Sequence, residues 1–425
     1  MGKRSQGNRM TRRHFTEHLM GAAAMAIPAM TFTRSLRANA AELKKNERSC
    51  ILLWMSGGPA TIDIWDLKPG SVNGGPFQPI ATTGEGQISE HMPQTAQLMK
   101  HLSIVRSMST READHGRGRY YMHTGYVPNP TIDHPSYGSV VAQQLGDQRE
   151  SLEIPPFVAI GGSSVGPGFL GMSYAPFVVN SQGRIQDLKL GIEASRAASR
   201  MQLLNALEKR FIEEDRGLAA SEHAKVLRKT QDLMTSKQMD AFRVEQEPAE
   251  VRERYGNTNF GRGCLMARRL VEVGVPFVEV DFGGWDTHSN NFATLQNNRL
   301  PQLDQGMSAL VADLEQRGML GNTAILWMGE FGRTPNINGN TGRDHWARSW
   351  SVVAGGAGFA GGKVIGETNA DGTAVETEPY TSEDLLATTL SALGISLDSR
   401  FTSRSGRPMK IANGGRLIKG LLANA

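Results

Sequence analysis

The sequence predicts an α/β fold with a doubly wound, mainly parallel sheet, on three observations. Six short runs are apolar without alternation, as strands buried on both faces are. Helix-period segments lie between several of them, which points to parallel strands joined by crossovers. Carboxylates and imidazoles then recur beside the ends of these runs, where open α/β sheets gather their ligands.

The runs are 50–55, closed by Ser56-Gly57-Gly58-Pro59, then 102–105, 157–160, 277–280, 323–328 and 351–354. Residues 195–273 differ. They are rich in Ala, Leu, Glu, Lys, Arg and Gln, and Met201, Leu204, Leu207 and Phe211 recur at helical spacing. This stretch reads as a helical insertion, ending in the helix that precedes the run at Phe277. Residues 359–380, Gly-rich and then polar, read as a surface hairpin. Residues 381–393 read as a helix, with Thr381 or Ser382 as N-cap, Glu383 and Asp384 in the first turn, and Gly394 at its end.

Residues 1–40 read as an export leader. Lys3, Arg4 and Arg9 precede Thr11-Arg12-Arg13-His14-Phe15, and an Arg pair followed closely by Phe is the address read by the twin-arginine translocase. The Ala-rich stretch 19–32 carries Pro28 and is too short and too weakly apolar to span a membrane stably. Ala38-Asn39-Ala40 is an A-x-A site, so cleavage is expected after Ala40, leaving residues 41–425 as one α/β domain with its insertion. The expected location is the periplasm or the medium, with no stable membrane span after cleavage.

The leader also distorts the charge. It holds seven of the 46 basic and one of the 42 acidic residues, so the chain's net charge of +4 becomes −2 without it. No basic field remains to argue for a nucleic-acid partner. A hydrophobic content of 39% supports a packed globule. Of the two cysteines, Cys50 opens an apolar run and Cys264 sits in a helical pattern. That favours two buried thiols, although export would permit a disulfide. There is no Cys-x-x-Cys and no haem motif, which argues against a redox enzyme.

Candidate site residues follow from position. Past the first run stand Ser56, Thr61, Asp63 and Asp66. Past the run at Phe277 comes Asp281-Phe282-Gly283-Gly284-Trp285-Asp286-Thr287-His288, and past 323–328 comes Gly329-Glu330-Phe331-Gly332-Arg333-Thr334-Pro335. Gly342-Arg343-Asp344-His345-Trp346 precedes the run 351–354. Carboxylates and imidazoles at equivalent strand ends suit a divalent metal, whose charge lets several acidic groups share one site. Such a set accepts Zn, Mn, Mg or Ca.

Together, Gly57-Gly58-Pro59 with Asp63, Asp66 and Pro69-Gly70, and the three motifs just quoted, resemble an exported bacterial family called domain of unknown function 1501, of the alkaline phosphatase/sulfatase superfamily. The resemblance covers residues 45–420, and Gly-Glu-Phe-Gly-Arg-Thr-Pro is its most specific part. It implies two adjacent metal positions at the carboxyl edge of the sheet and a nucleophile at a helix start. By motif position Asp286, His288 and His345 would hold one metal. Asp63 and Glu330 would approach the other, with Asp66 or Asp344 as alternates. Where sulfatases carry Cys or Ser, then Pro and Arg, and later Thr-Gly, this chain has His115-Gly116-Arg117-Gly118-Arg119 and then Thr124-Gly125. His115 falls at the nucleophile position, and no Cys or Ser is there to become formylglycine. An imidazole can ligate metal, act as general base or attack phosphorus. Arg119, Arg333 or Arg343 would hold the anion of the substrate. The implied activity is metal-dependent hydrolysis of phosphate or sulfate esters, on polysaccharide or lipid. The alternative is a binding or scaffold protein on the same fold.

Overall fold

Eight strands form the central sheet of the computed structural model. In chain order they are β1 (Ser49–Trp54), β2 (Leu102–Met108), β3 (Phe157–Ile160), β4 (Phe177–Val179), β5 (Phe277–Asp281), β6 (Thr323–Met328), β7 (Trp350–Gly355) and β8 (Val364–Ile365). Their order across the sheet is β8-β2-β7-β6-β1-β5-β3-β4. All neighbours pair in parallel except β7, which runs antiparallel to both β2 and β6. The structure describes residues 47–183, 236–403 and 406–423, with isolated positions between 196 and 233. The leader and much of the stretch 195–273 lie outside the described residues.

The six apolar runs are six of these strands. β1 shows why they lack alternation. Ile51 and Leu53 face one hydrophobic cluster, while Cys50, Leu52 and Trp54 face another. All five are wholly buried, so both faces of the sheet are covered. Five helices are used below: α1 (His115–Thr124), α2 (Tyr137–Gly146), α3 (Asn259–Glu272), α4 (Leu300–Gln316) and α5 (Ser382–Ala392). Phe260 and Leu265 of α3 and Leu303 and Met307 of α4 join the first cluster; Met122 of α1, Tyr137 of α2 and Leu386 of α5 join the second. The result is helices on both faces of one sheet.

α5 starts as its sequence indicates: Thr381 and Asp384 close a capping box, satisfying amides that a helix start leaves unpaired. Residues 359–380 are only partly a hairpin. β8 joins the sheet edge, and the chain turns back where Glu376 N donates to Glu367 O at 2.9 Å. Cys50 and Cys264 are buried free thiols in opposite clusters; the sheet lies between them, so no disulfide joins them. Among the described residues no helix is long and apolar enough to cross a membrane.

Candidate metal centre

Strand order decides which loops meet. β6, β1 and β5 are adjacent and parallel. Their carboxyl ends therefore deliver Glu330, Ser56-Gly57-Gly58 and Asp286 to one edge. β7 runs the other way, so the segment before it, carrying Asp344 and His345, reaches that same edge. β2 feeds α1, which begins at His115 with Asp114 as its N-cap, the carboxylate accepting from Arg117 N at 3.0 Å.

Two crossings tighten the arrangement. Gly332–Arg333 pairs antiparallel with His345–Trp346, which sets His345 opposite Arg333. The loop 338–343 crosses the loop 287–291: Arg343 N donates to Thr287 O at 3.0 Å and Asn291 N to Thr341 O at 3.0 Å. Gly342 is needed there, because a Cβ on it would lie 2.0 Å from His288 O.

Three imidazoles converge on one carboxylate. Asp286 Oδ1 lies 3.4 Å from His115 Nε2, 3.1 Å from His288 Nε2 and 3.4 Å from His345 Nε2. One ligand atom from each of His115, Asp286 and His345 falls within 4.8 Å of the others, and His288 Nε2 is 3.1 Å from His345 Nε2. Each ring is oriented through its other nitrogen. His115 Nδ1 meets Glu330 Oε1 at 2.6 Å, His288 Nδ1 meets Asp344 Oδ1 at 2.6 Å, and His345 Nδ1 meets Ala113 O at 2.8 Å. These outer contacts fix which ring nitrogen faces inward, as in metal-binding histidines. Phe331 walls the cluster, its ring centroid 5.1 Å from that of His115 and 4.6 Å from that of His345.

The electrostatics follow these contacts. The Glu330 hydrogen bond raises the His115 pKa against the opposing effect of burial. Burial lowers that of His345. For Asp286, burial pushes the carboxyl up, but the Arg333 guanidinium outweighs it and the net shift is downward. The hydrogen bond from His288 lowers Asp344.

Not every expected residue joins the cluster. Asp63 is buried and its carboxylate is taken by Arg343, with Nε to Oδ2 at 2.8 Å and Nη2 to Oδ1 at 2.7 Å, while Asn291 Nδ2 donates to Oδ2 at 2.8 Å. It is a counter-ion in the core, and a guanidinium occupies the face a metal would need. Arg343, fully buried against it, is likewise out of reach of a substrate anion. Asp66 serves Lys68 and Thr368. Arg333 corrects a second expectation. Its buried guanidinium donates to Gly58 O at 2.7 Å, to Arg343 O at 3.2 Å, and to Gly57 O and Asp286. It holds the Asp286 carboxylate from beneath. Arg119, one turn along α1, donates to Ser163 O and remains half-buried. Glu330 and Asp344 orient imidazoles, and one Glu330 oxygen, Oε2, is buried with no hydrogen-bond partner.

Some functional contacts had no sequence signal. The acceptor for His345 is a backbone carbonyl, and Asn291 lies in a loop of ordinary composition. The pairing of Ser56 Oγ with Asp281 Oδ1 at 2.6 Å had one: both stand just past parallel strands.

The fold and site together define an α/β protein with a His-Asp cluster at one edge of a mainly parallel sheet. The chain belongs to the family described as protein of unknown function (DUF1501), whose model matches residues 47–422. No match was found among curated proteins. Solved structures that align with it include a protein in the alkaline phosphatase superfamily from Vibrio parahaemolyticus, at 11% identity and a TM-score of 0.38, over 89% of this chain and 71% of that one. A sulfatase from a Pseudoalteromonas species aligns at 14% identity and a TM-score of 0.42, over 89% and 75%. The alkaline phosphatase from the Antarctic bacterium TAB5 aligns at 13% identity and a TM-score of 0.35, over 81% and 98%.

Proposed function

We propose that this protein is an exported, metal-dependent hydrolase of phosphate or sulfate esters carried on polysaccharide or lipid. The observation that carries the reading is the convergence of three imidazole Nε2 atoms on Asp286, each ring held through Nδ1. A divalent cation fits this set: Nε2 of His288 and Nε2 of His345 lie 3.1 and 3.4 Å from Asp286 Oδ1 and 3.1 Å from each other, so three ligand atoms face one point. Asp286, His288 and His345 would hold the cation. A donor set this rich in imidazole suits zinc or another transition-series ion better than calcium or magnesium, which take oxygen ligands. When bound, such an ion supplies Lewis-acid polarisation of an ester oxygen.

The remaining roles belong to the chain. His115 stands in the first turn of α1, with Nδ1 fixed on Glu330 and Nε2 turned toward the cluster. It can take a proton from an attacking water. Arg333 keeps Asp286 charged and aimed. Arg119 would meet the anionic oxygens of the ester with a planar fork.

The test is turnover of aryl phosphate, phosphodiester and aryl sulfate substrates by folded protein supplied with Zn²⁺, Mn²⁺ or Ca²⁺. Metal-dependent hydrolysis that is lost in His288→Ala is expected. Folded protein that turns over none of them under any metal refutes the reading. The second reading, a binding protein that retains the cation, is favoured by His115 standing where sulfatases carry Cys or Ser. Elemental analysis separates the two, since metal bound without activity favours binding. Export is tested by N-terminal sequencing of the secreted form, expected to begin near Ala41.

A further inference from the structure

A cavity of about 570 Å³ opens beside the carboxyl end of β5, lined by Asp281, Phe282, Gln182, Asn259, Arg299 and Gln302 among others. Its volume falls within the range of about 300–1,000 Å³ typical of small-ligand sites. Arg299 is its unusual member. Among the described residues its guanidinium has no hydrogen-bonding or ionic partner, and its Nε is buried and unsatisfied. The Phe282 ring centre lies 5.2 Å from its guanidinium carbon. A partly buried cation without a counter-ion is costly, and burial lowers the Arg299 pKa with nothing to offset it. The other basic residues near the centre are all engaged: Arg333 by Asp286, Arg343 by Asp63 and Arg119 by Ser163.

Two features connect this cation to the metal centre. The Arg299 guanidinium rests on Gly284, where a Cβ would stand 2.4 Å from Nη2. Gly284 is two residues from Asp286, on the same loop. One oxygen of Asp281, the carboxyl lining the cavity, is engaged by Ser56 Oγ, which donates to it at 2.6 Å. The polar lining also includes the amides of Gln182, Asn259 and Gln302 and the hydroxyl residues Ser181 and Thr258, a chemistry that pairs with hydroxyl groups.

We propose that this cavity binds a second anionic group of the substrate, so that the ester is borne on a polyanionic sugar chain whose neighbouring unit presents a sulfate or carboxylate to Arg299. The inference rests on the reading of the His-Asp cluster as an ester-hydrolysing centre, and it names the class of chain that centre would act on. The bound anion supplies the counter-charge Arg299 lacks, and the amides take ring hydroxyls.

Isothermal titration with four probes tests it: a sulfated dextran oligosaccharide, an oligogalacturonate, a neutral dextran oligosaccharide and inorganic sulfate. Wild type should bind one of the two charged oligosaccharides well above the neutral one and above inorganic sulfate. Which of the two binds identifies the anion. Arg299→Ala should lose at least about tenfold in affinity, the scale of one charge-assisted hydrogen bond. Gln302→Glu, at a half-buried helix position, should weaken binding by adding a like charge and serves if Arg299→Ala fails to fold. The proposal is overturned if both variants bind as wild type does, if the neutral oligosaccharide binds equally, or if inorganic sulfate alone accounts for the affinity. Arg299-dependent binding to phosphatidylglycerol vesicles, with no oligosaccharide bound, also overturns it. Aryl ester turnover is measured on the same preparations. Turnover with Arg299 silent refutes this inference alone; Arg299-dependent oligosaccharide binding without turnover under any metal refutes the hydrolase reading alone.

Discussion

Asp63→Asn separates a metal ligand from a core counter-ion. Asp63 is 2% exposed and Arg343 0%, and two hydrogen bonds of 2.8 and 2.7 Å join them side by side. Removing the carboxylate leaves a guanidinium buried without a partner, and breaking such a pair costs about 3–5 kcal/mol. For a chain of this length that is a fall of roughly 3–6 °C in Tm. The assay is urea unfolding of the EDTA-stripped protein, followed by tryptophan fluorescence, with zinc affinity measured separately. The expected result is a large loss of stability with zinc affinity unchanged in the fraction that folds. Arg343→Met alone should cost a similar amount, and Asp63→Leu with Arg343→Met should cost less than the sum of the single changes, since no buried charge is then orphaned. A variant within about 1 kcal/mol of wild type, but with zinc binding weakened tenfold or more, would refute the argument and return Asp63 to the metal.

Three further outcomes follow from the same contacts. Asp344→Asn removes the group that orients His288; it should weaken zinc binding by about 10–100-fold while leaving the metal-free protein nearly as stable, because both side chains are about half exposed, and competition with a zinc chelator reads this. Glu330→Gln should cost about 1 kcal/mol in the metal-free protein at low pH, a figure already discounted for the partial exposure of His115. The sign follows from the raised His115 pKa: the stabilisation is fully present below the unfolded value of 6.5 and is lost as pH rises through the higher folded value. Urea midpoints at pH 5.5 and 9 should therefore converge as pH rises, and a penalty that grows with pH contradicts this. Burial pushes the Cys50 thiol up to about 12 and raises Cys264 as well. A chromogenic disulfide reagent at pH 8 should therefore label neither cysteine in native protein and both after unfolding, and labelling in the native state would show that the two clusters open.

The strands were legible because burial on both faces leaves a plain mark. Ile51 and Leu53 must be apolar for one cluster, and Cys50, Leu52 and Trp54 for the other. β4 and β8 were not read. They are three and two residues long, at opposite edges of the sheet, where less of a strand is covered and composition is less constrained. The reversal of β7 was also invisible, since an apolar run does not encode direction. Yet that reversal brings the segment before β7, with His345, to the edge where the other loops emerge.

The sequence by itself determined the layered α/β class, the main sheet strands, the start of α5 and the pool of acidic and imidazole side chains at strand ends. Local pattern suffices for these, because periodicity, capping and apolar runs act over a few residues. Only the tertiary structure decided who pairs with whom. Asp63 and Asp286 read alike as carboxylates past parallel strands, but the crossing of two loops gives Asp63 to Arg343 and leaves Asp286 to three imidazoles. Arg299 carries no mark in the sequence that separates it from Arg333. Among the described residues one is left without a counter-ion and the other is tied beneath the cluster, because burial and partner choice are set by contacts between segments distant in the chain.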